Sequence, residues 1–145
     1  MKVLAKNSRA LYDYDIKVQF DAGLVLEGRE VKSAKSGNVS LASSYVSVQP
    51  HSLHLVKCHI GPFKYAKNDN YDPTRSRTLL LTQSELARLQ GKEKGLTVIP
   101  LELFIGPRGL LKLKIGIGRG RKKIDKREYI KKRDTDKEIR KTTNR

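Results

Sequence analysis

Three histidines and the single cysteine of this 145-residue chain lie within one segment of nine residues. His51, His54, Cys58 and His59 are side chains that could ligate a metal ion or supply a nucleophile. Cys58 and His59 are neighbours, and on a strand they point to opposite faces, so they cannot hold one ion without a bulge. A zinc site also needs four protein ligands, or three and a water. We therefore expect ordinary strand residues here, with neither a metal nor a cofactor.

The sequence offers little else for catalysis. Glu27 and Glu30 could perform acid–base chemistry, but the basic residues Arg29 and Lys32 stand beside them. Neither a G-x-S-x-G nucleophile motif nor a phosphate-binding P-loop occurs. The glycine-rich residues 116–120 lack the spacing of a dinucleotide site and predict a flexible exit through which backbone and arginine approach phosphate. We expect no enzymatic activity.

Contact with phosphate is the chemistry that the sequence favours. Arg75 and Arg77 follow Asp72-Pro73, a dipeptide typical of a turn, and precede three leucines. At this spacing an extended segment places both guanidinium groups on the same side, a geometry that suits two phosphates or one folded backbone. The segment therefore predicts a phosphate-binding pair.

Aromatic residues stand beside basic residues in two places, as they do where proteins stack unpaired RNA bases. Tyr12 and Tyr14 follow Arg9, and residues 63–67 read Phe-Lys-Tyr-Ala-Lys. Tyr14 alternates with Ile16 and is expected in the core. Tyr12 falls at the start of the same predicted strand, where the chain frays, so an exposed and a buried side chain are equally expected.

The charge of the chain points to a polyanionic partner. Lys and Arg number 31 against 15 Asp and Glu, a formal net charge of +16. Residues 119–145 carry half of this net charge in 27 residues, and we assign 1–118 to a folded domain and 119–145 to a basic tail. The tail has too few apolar residues to offset its ordering entropy. We expect it to be disordered alone and helical once a polyanion neutralises it; a merely solubilising tail is the alternative.

The composition also bears on the cellular compartment. No window approaches about 18–20 uninterrupted apolar residues, so we expect no membrane span. The first residues lack the apolar stretch of a signal peptide, and a single cysteine fits a reducing compartment. A cytoplasmic protein is predicted.

Most of the body reads as short antiparallel strands. Tyr14, Ile16, Val18 and Phe20 alternate with polar residues and are expected to share one face. Pro100 interrupts a long apolar run and predicts an edge or a bulge. The pattern indicates a mainly β fold, either a small OB-like barrel or a sandwich. The predicted strands are residues 13–21, 45–48, 53–60, 96–105 and 111–118.

Two short helices are expected between the strands. Thr82 and Glu85 form a capping-box pattern that predicts a helix over 83–90. A second helix is predicted over 29–35, ending before Gly37.

Several segments, taken in order, resemble the small protein B (SmpB) family, the SsrA-binding partners of transfer-messenger RNA. The resemblance runs from about Asn7 to Arg133, and the chain departs from the family pattern at Ser8, Tyr12, Arg121 and Ile124. The matching segments are residues 7–14, 22–33, 44–45, 59–60, 72–75, 79–81, 94–97, 119–122 and 125–127.

The resemblance implies a fold and a role. The fold is a small antiparallel OB-like barrel with two or three short flanking helices. A protein of this family is expected to bind the tRNA-like domain of transfer-messenger RNA and to deliver it to stalled ribosomes for trans-translation. Its basic tail is expected to fold into a helix in the empty mRNA channel of the small subunit, downstream of the decoding centre. Such a protein is a cytoplasmic monomer without catalytic residues.

The same resemblance assigns two sets of residues. Asp21 is unusual among them, but a carboxylate accepts hydrogen bonds from base amino groups and ribose 2′-hydroxyls. The expected RNA-binding residues are Asn7, Arg9, Tyr12, Asp21, Lys32, Arg119, Lys122 and Lys123. The expected ribosome-contacting tail residues are Asp125, Lys126, Arg127, Lys131, Lys132 and Arg133.

A ribosomal or ribosome-assembly protein that binds rRNA is the competing interpretation. Such a protein can also combine an OB-like barrel with a basic extension, and composition alone does not separate the two.

Overall fold

The computed structural model describes residues 2–67, 70–92, 94–122 and 126–135. The strands are β1 (Lys2–Lys6), β2 (Tyr14–Leu24), β3 (Val39–Ser40), β4 (Tyr45–Val48), β5 (Leu53–Val56), β6 (His59–Ile60), β7 (Arg77–Leu80), β8 (Leu96–Ile105) and β9 (Leu111–Gly120). The helices are α1 (Ala10–Asp13), α2 (Gly28–Lys35) and α3 (Gln83–Gln90), with a 3-10 turn at Pro107–Gly109. Residues 126–135 are also helical, and we call them the tail helix.

Seven strands form one antiparallel sheet in the order β1-β8-β9-β2-β7-β5-β4, and β3 pairs with β6 in a second sheet. The mainly β, antiparallel architecture with short helices is therefore confirmed. Hydrogen bonding between the described strands does not close the large sheet, because its order begins at β1 and ends at β4. The predicted strands 45–48 and 53–60 meet as a hairpin of β4 and β5, with Val48 paired to Leu53.

The core lies against the central strands β8, β9 and β2. Leu113 and Ile115 of β9 alternate with polar residues and are fully buried together with Leu103 of β8 and Ala22 of β2. Such alternation turns one face of a strand toward the core and the other face away from it. Strand β9 ends at Gly120, two residues beyond the predicted domain boundary.

A bulge in β2 corrects the expected single apolar face. The register shifts between Ile16 and Val18, so one extra residue stands opposite β9. Tyr14 and Ile16 consequently pack in a second apolar cluster with Ala10 and Ile99, whereas Phe20 packs against the main core. The prediction that Tyr14, Ile16 and Phe20 share one face is wrong.

Two other strand boundaries differ from the pattern. Pro100 adjoins a register shift in β8, which confirms the predicted bulge. Strand β8 pairs with β9 along most of its length but with β1 only over residues 102–105, so the part that contains Pro100 has a strand partner on one side. The segment 53–60 is not one strand, because the chain turns at Lys57, whose φ is 62°. His59 and Ile60 then pair with β3 in the second sheet.

The glycines of the segment 116–120 have a packing role. A Cβ atom at Gly118 would lie 2.7 Å from the backbone oxygen of Asp15, and one at Gly116 would lie 2.9 Å from Ile16 Cγ2. The interpretation of this segment as a flexible exit toward phosphate is wrong for these two residues. Both lie within β9 and allow β2 to approach.

Both predicted helices form. In α3 the Thr82 side chain accepts from the Glu85 backbone and the Glu85 carboxylate accepts from the Thr82 backbone, as the capping box requires. Helix α2 begins after Glu27 through the equivalent exchange with Glu30. Helix α1 has no counterpart among the predicted elements, and it places Tyr12 in a helix rather than at the start of a strand. None of the described helices is both long and apolar enough to cross a membrane.

Candidate nucleic-acid interface

The Tyr12 ring contacts two cations at the junction of the body and the tail. The Arg9 guanidinium carbon is 5.1 Å from the centroid of the Tyr12 ring, and the Lys126 ammonium is 5.3 Å from it. Cations at these distances are attracted to the ring face. The fold thus brings together Arg9 and Tyr12, two predicted RNA-binding residues, with Lys126, a predicted tail residue.

The residues around Tyr12 attach the tail to α1. Asp13 lies 3.3 Å from Lys126 Nζ and 3.6 Å from Arg9 Nε. The Arg121 backbone N–H donates to the Asp13 carbonyl, and its side-chain Nε donates to the Leu11 carbonyl at 3.1 Å. The Arg121 guanidinium also lies 4.8 Å from the ring centroid of Tyr129 in the tail helix.

Asn7 connects β1 to the central sheet. Its side-chain amide donates to the Pro100 carbonyl at 2.9 Å, and its backbone N–H donates to the Leu101 carbonyl at 2.8 Å. Asn7 and Arg9 also line a groove of about 620 Å³ that reaches the β3–β4 connection. Asn7 therefore makes a hydrogen bond that holds the fold and also borders a groove that a ligand could enter.

Lys32 belongs to a second surface, formed by α2 and the loop 61–76. Its ammonium lies 6.0 Å from the ring centroid of Phe63. Phe63 meets Tyr65 edge to face, with centroids 5.6 Å apart and an interplanar angle of 70°. Lys64 Nζ lies 5.5 Å from the Tyr65 centroid. The aromatic and basic residues predicted together in segment 63–67 are therefore joined by Lys32.

Arg75 and Arg77 do reach the same side of the chain, but they bind a buried carboxylate. Arg77 is fully buried, and its Nε and Nη2 donate to Glu30 Oε2 at 2.9 and 2.6 Å. Arg75 donates to both oxygens of Glu30, and the hydroxyl of Tyr71 lies 3.5 Å from Oε2. The prediction of a phosphate-binding pair is wrong, because Glu30 occupies both guanidinium groups.

Glu30 stays ionised in this network. Burial disfavours its charged form, but hydrogen bonds from Arg75, from the Glu27 backbone and from Arg77 outweigh burial and lower the pKa of Glu30 below its ordinary value of 4.5. An ionised Glu30 compensates the buried charge of Arg77. The network therefore fixes α2 against the loop and against β7.

Arg29 adds a second connection between α2 and the loop. Its Nη1 donates to the Lys67 carbonyl at 2.9 Å. Its guanidinium carbon lies 4.6 Å from the ring centroid of Tyr71, a stacking distance.

The other predicted contact residues lie apart from these two surfaces, on β2, at the end of β9 and in the tail helix. Asp21 is exposed on β2 and stands opposite Lys114 of β9 in the antiparallel register. Arg119 is exposed near the end of β9, and Lys122 is exposed shortly after it. Lys123 and Asp125 lie outside the described residues. The described tail residues belong to the tail helix and are Lys126, Arg127, Lys131, Lys132 and Arg133.

The expectation of strand residues holds for only part of the histidine and cysteine segment: His54 lies in β5 and His59 in β6, whereas His51 and Cys58 lie outside the strands. Cys58 is fully buried and His59 is exposed, so the two side chains point apart. Burial raises the pKa of the Cys58 thiol to about 11, which keeps it protonated and unreactive at neutral pH. Within the described parts of the chain, no group of His, Cys, Asp and Glu side chains could hold a metal ion.

Sequence reasoning missed four residues that build these surfaces: Asp13, Arg121, Tyr129 and Tyr71. Asp13 stands four residues after Arg9, a spacing at which opposite charges meet on a helix, and this was the available signal. Arg121 and Tyr71 contact partners far away in the sequence, Leu11 and Glu30, for which a single chain gives no signal. Tyr129 contacts Arg121, eight residues earlier, and no motif marks that pair.

The chain is similar to known proteins over nearly its whole length. A family model described as SmpB protein matches residues 4–145. The SsrA-binding protein of Coprothermobacter proteolyticus is 45% identical over 143 residues, which cover 97% of this chain and 95% of the relative. The SsrA-binding protein of Anoxybacillus flavithermus is 42% identical over 140 residues, which cover 95% and 90%.

A solved structure has the same fold. It is described as "tmRNA-SmpB: a journey to the center of the bacterial ribosome" and matches with a TM-score of 0.66 at 37% identity. The match covers 86% of this chain and 92% of the chain in that structure.

Proposed function

The chain belongs to the SmpB family, and we propose that it binds the tRNA-like domain of transfer-messenger RNA and delivers it to stalled ribosomes for trans-translation. The resemblance found in the sequence is confirmed by the family match. The single observation that carries the proposal is the extent of this match, residues 4–145, which includes the tail as well as the sheet.

The body supplies the surfaces for transfer-messenger RNA. Tyr12 with its flanking cations and Lys32 with its neighbouring aromatics both combine positive charge with a ring face, the pair of groups that holds unpaired RNA. Asp21 lies on β2 and falls between Tyr12 and Lys32 in the sequence. Its carboxylate accepts hydrogen bonds from a ribose hydroxyl or a base amino group. The proposed RNA contacts are Asn7, Arg9, Tyr12, Asp21, Lys32, Arg119, Lys122 and Lys123.

The tail supplies the ribosome contact. Its helix exposes Arg127, Lys131 and Lys132, and cations on a helix can neutralise the phosphates of an rRNA channel. Asp125, Lys126 and Arg133 complete the proposed set. Residues 126–135 are already helical in the structure, and the folding of the tail on the ribosome is part of the proposal.

The protein acts by binding and not by catalysis in this proposal. Its work is to place the tRNA-like domain at a ribosome whose message has no stop codon, and the ribosome performs peptide transfer. It functions as a monomer in the cytoplasm.

The experiment that tests the proposal is to isolate the tagged protein from its own cells and to size the bound RNA. One dominant species of a few hundred nucleotides, enriched over rRNA, is the expected result. Stoichiometric rRNA without that species would instead support a ribosomal or ribosome-assembly protein. A Lys32→Ala variant should recover less of the dominant species, whereas Lys92→Ala, a substitution outside both surfaces, should recover as much as the parent.

A further inference from the structure

An exposed aromatic pair stands on the second surface. Tyr65 is 80% exposed, the largest exposed fraction among the exposed large apolar and aromatic residues that the structure describes. Phe63 abuts it edge to face and is half-buried. An edge-to-face pair stabilises the orientation of the outer ring. Tyr65 thus presents a ring to solvent, supported from one side.

Positive charge surrounds this ring pair. The ammonium of Lys32 approaches Phe63 from α2, and that of Lys64 approaches Tyr65 from the loop itself. Lys67 is also exposed, two residues farther along. Ring faces flanked by cations attract a ligand that is both planar and anionic.

The loop that carries the pair is bonded to α2 near both of its ends. Glu30 binds Arg75 and Arg77, which close the loop 61–76 at its far end. At the near end, the buried Ser33 hydroxyl of α2 donates to the Gly61 carbonyl. Both ends of the loop are therefore attached to α2, the helix that carries Lys32. Such attachment reduces the entropy lost when a ligand binds.

We propose that Phe63 and Tyr65 form a stacking site for one unpaired nucleobase of the bound RNA, with Lys32 and Lys64 beside the phosphates that flank this base. The inference rests on the proposed function, because the RNA is the tRNA-like domain of transfer-messenger RNA. It adds a base-binding site to that function. Stacking on an aromatic side chain tolerates any base, so the site contributes affinity rather than sequence specificity.

The chain contains no tryptophan, which permits a direct test. A Tyr65→Trp variant keeps a stacking face and carries the only indole, whose fluorescence is quenched when a base stacks on it. Leu110→Trp is the matched control, because Leu110 is also exposed but lies in the β8–β9 turn. We expect binding of the tRNA-like domain to quench Tyr65→Trp and to leave Leu110→Trp unchanged.

Affinities of further variants complete the test. Tyr65→Ala should weaken binding about tenfold, since base–aromatic stacking contributes on the order of a five- to 150-fold gain per base. Tyr65→Phe and Leu110→Ala should bind like the parent. Circular dichroism should be the same for all variants, because the exchanged side chains are exposed.

Two negative results are distinguishable. If the parent binds the tRNA-like domain while Tyr65→Ala binds equally well and Tyr65→Trp is not quenched, the stacking site is wrong and the proposed function stands. If the parent itself does not bind this RNA above a double-stranded control, the proposed function is wrong and the site with it.

Discussion

Lys126 of the tail lies 3.3 Å from the carboxylate of Asp13 in α1. The same ammonium lies over the ring of Tyr12, which Arg9 flanks as well. The part of the chain proposed to bind transfer-messenger RNA and the part proposed to enter the ribosome therefore meet at one small cluster. The direction in which the tail helix leaves the body is set here, together with the two hydrogen bonds of Arg121.

Loss of the Asp13 charge should loosen the base of the tail helix. Asp13→Asn removes its attraction to Lys126, and exposed ion pairs contribute up to about 1 kcal/mol. We expect the amides of residues 126–135 to exchange with deuterium up to about fivefold faster. Asp15→Asn, which removes an exposed pair with Lys17, is the control and should leave that exchange unchanged. Equal exchange in both variants would show that the ion pair does not hold the tail.

Glu30→Gln should destabilise the fold strongly, because it leaves the fully buried Arg77 without a counter-charge. Breaking a buried ion pair costs about 3–5 kcal/mol, which urea unfolding at neutral pH would measure. Asp15→Asn should change the free energy of unfolding by less than about 1 kcal/mol. Equal stability of the two variants would mean that Glu30 is not the centre of the network.

The same carboxylate makes stability depend on pH. The pKa of Glu30 is lowered in the folded protein, so its contribution is fully present above the unfolded value near 4.5 and is lost as pH falls through the folded value. The parent should therefore lose more unfolding free energy than Glu30→Gln between pH 6 and pH 3. Parallel pH profiles would contradict this.

Gly118→Ala should destabilise the pairing of β2 with β9. Its new methyl group would meet the backbone oxygen of Asp15 at 2.7 Å, and overpacking of this kind costs about 1–3 kcal/mol. Gly120→Ala is the matched control in the same strand, since a Cβ there meets nothing within 4 Å. Thermal unfolding should separate the two variants, and a Gly118→Ala variant as stable as Gly120→Ala would show that this glycine is not required by close packing.

Regular local patterns made most of the fold predictable from the sequence. The unbroken alternation of residues 111–118 and the capping box at Thr82 each depend on neighbours in the chain, and both elements form as expected. The bulge in β2 was not predictable, because it depends on how β2 pairs with β9. A single extra residue then moved Tyr14 to another cluster.

The candidate site shows the same division. Spacing correctly placed the guanidinium groups of Arg75 and Arg77 on one side, but it could not show that Glu30, 45 residues earlier, lies on that side. The contact of Tyr12 with Lys126 spans 114 residues and left no local pattern. Segment 63–67 was recognisable by composition, whereas its proximity to Lys32 required the fold.

The tail should separate RNA binding from tagging. Truncation after Lys123 removes 22 residues and 9 of the 31 basic side chains. Affinity for the tRNA-like domain should largely persist, while the salt dependence becomes shallower, because each phosphate contact contributes a slope of about −0.7 to −0.9. Filter binding between low and physiological salt measures both quantities, and an unchanged slope would mean that the tail touches no phosphate.

Ile130→Pro tests whether the helix itself matters. Proline in a helix interior costs about 3 kcal/mol and leaves the charge unchanged. We expect this variant to bind transfer-messenger RNA like the parent but to tag stalled peptides poorly, whereas Ile130→Ala tags normally. Tagging by Ile130→Pro at the level of Ile130→Ala would show that the tail acts only as a charged tether.

The most direct measurement is a reconstituted tagging reaction with stalled ribosomes and transfer-messenger RNA, with and without this protein. The account predicts that the tag is added to the stalled peptide only when the protein is present, and that addition falls when Lys32→Ala replaces the parent at limiting concentration. Tagging at the same rate without the protein, or no tagging with it, would contradict the assignment to trans-translation.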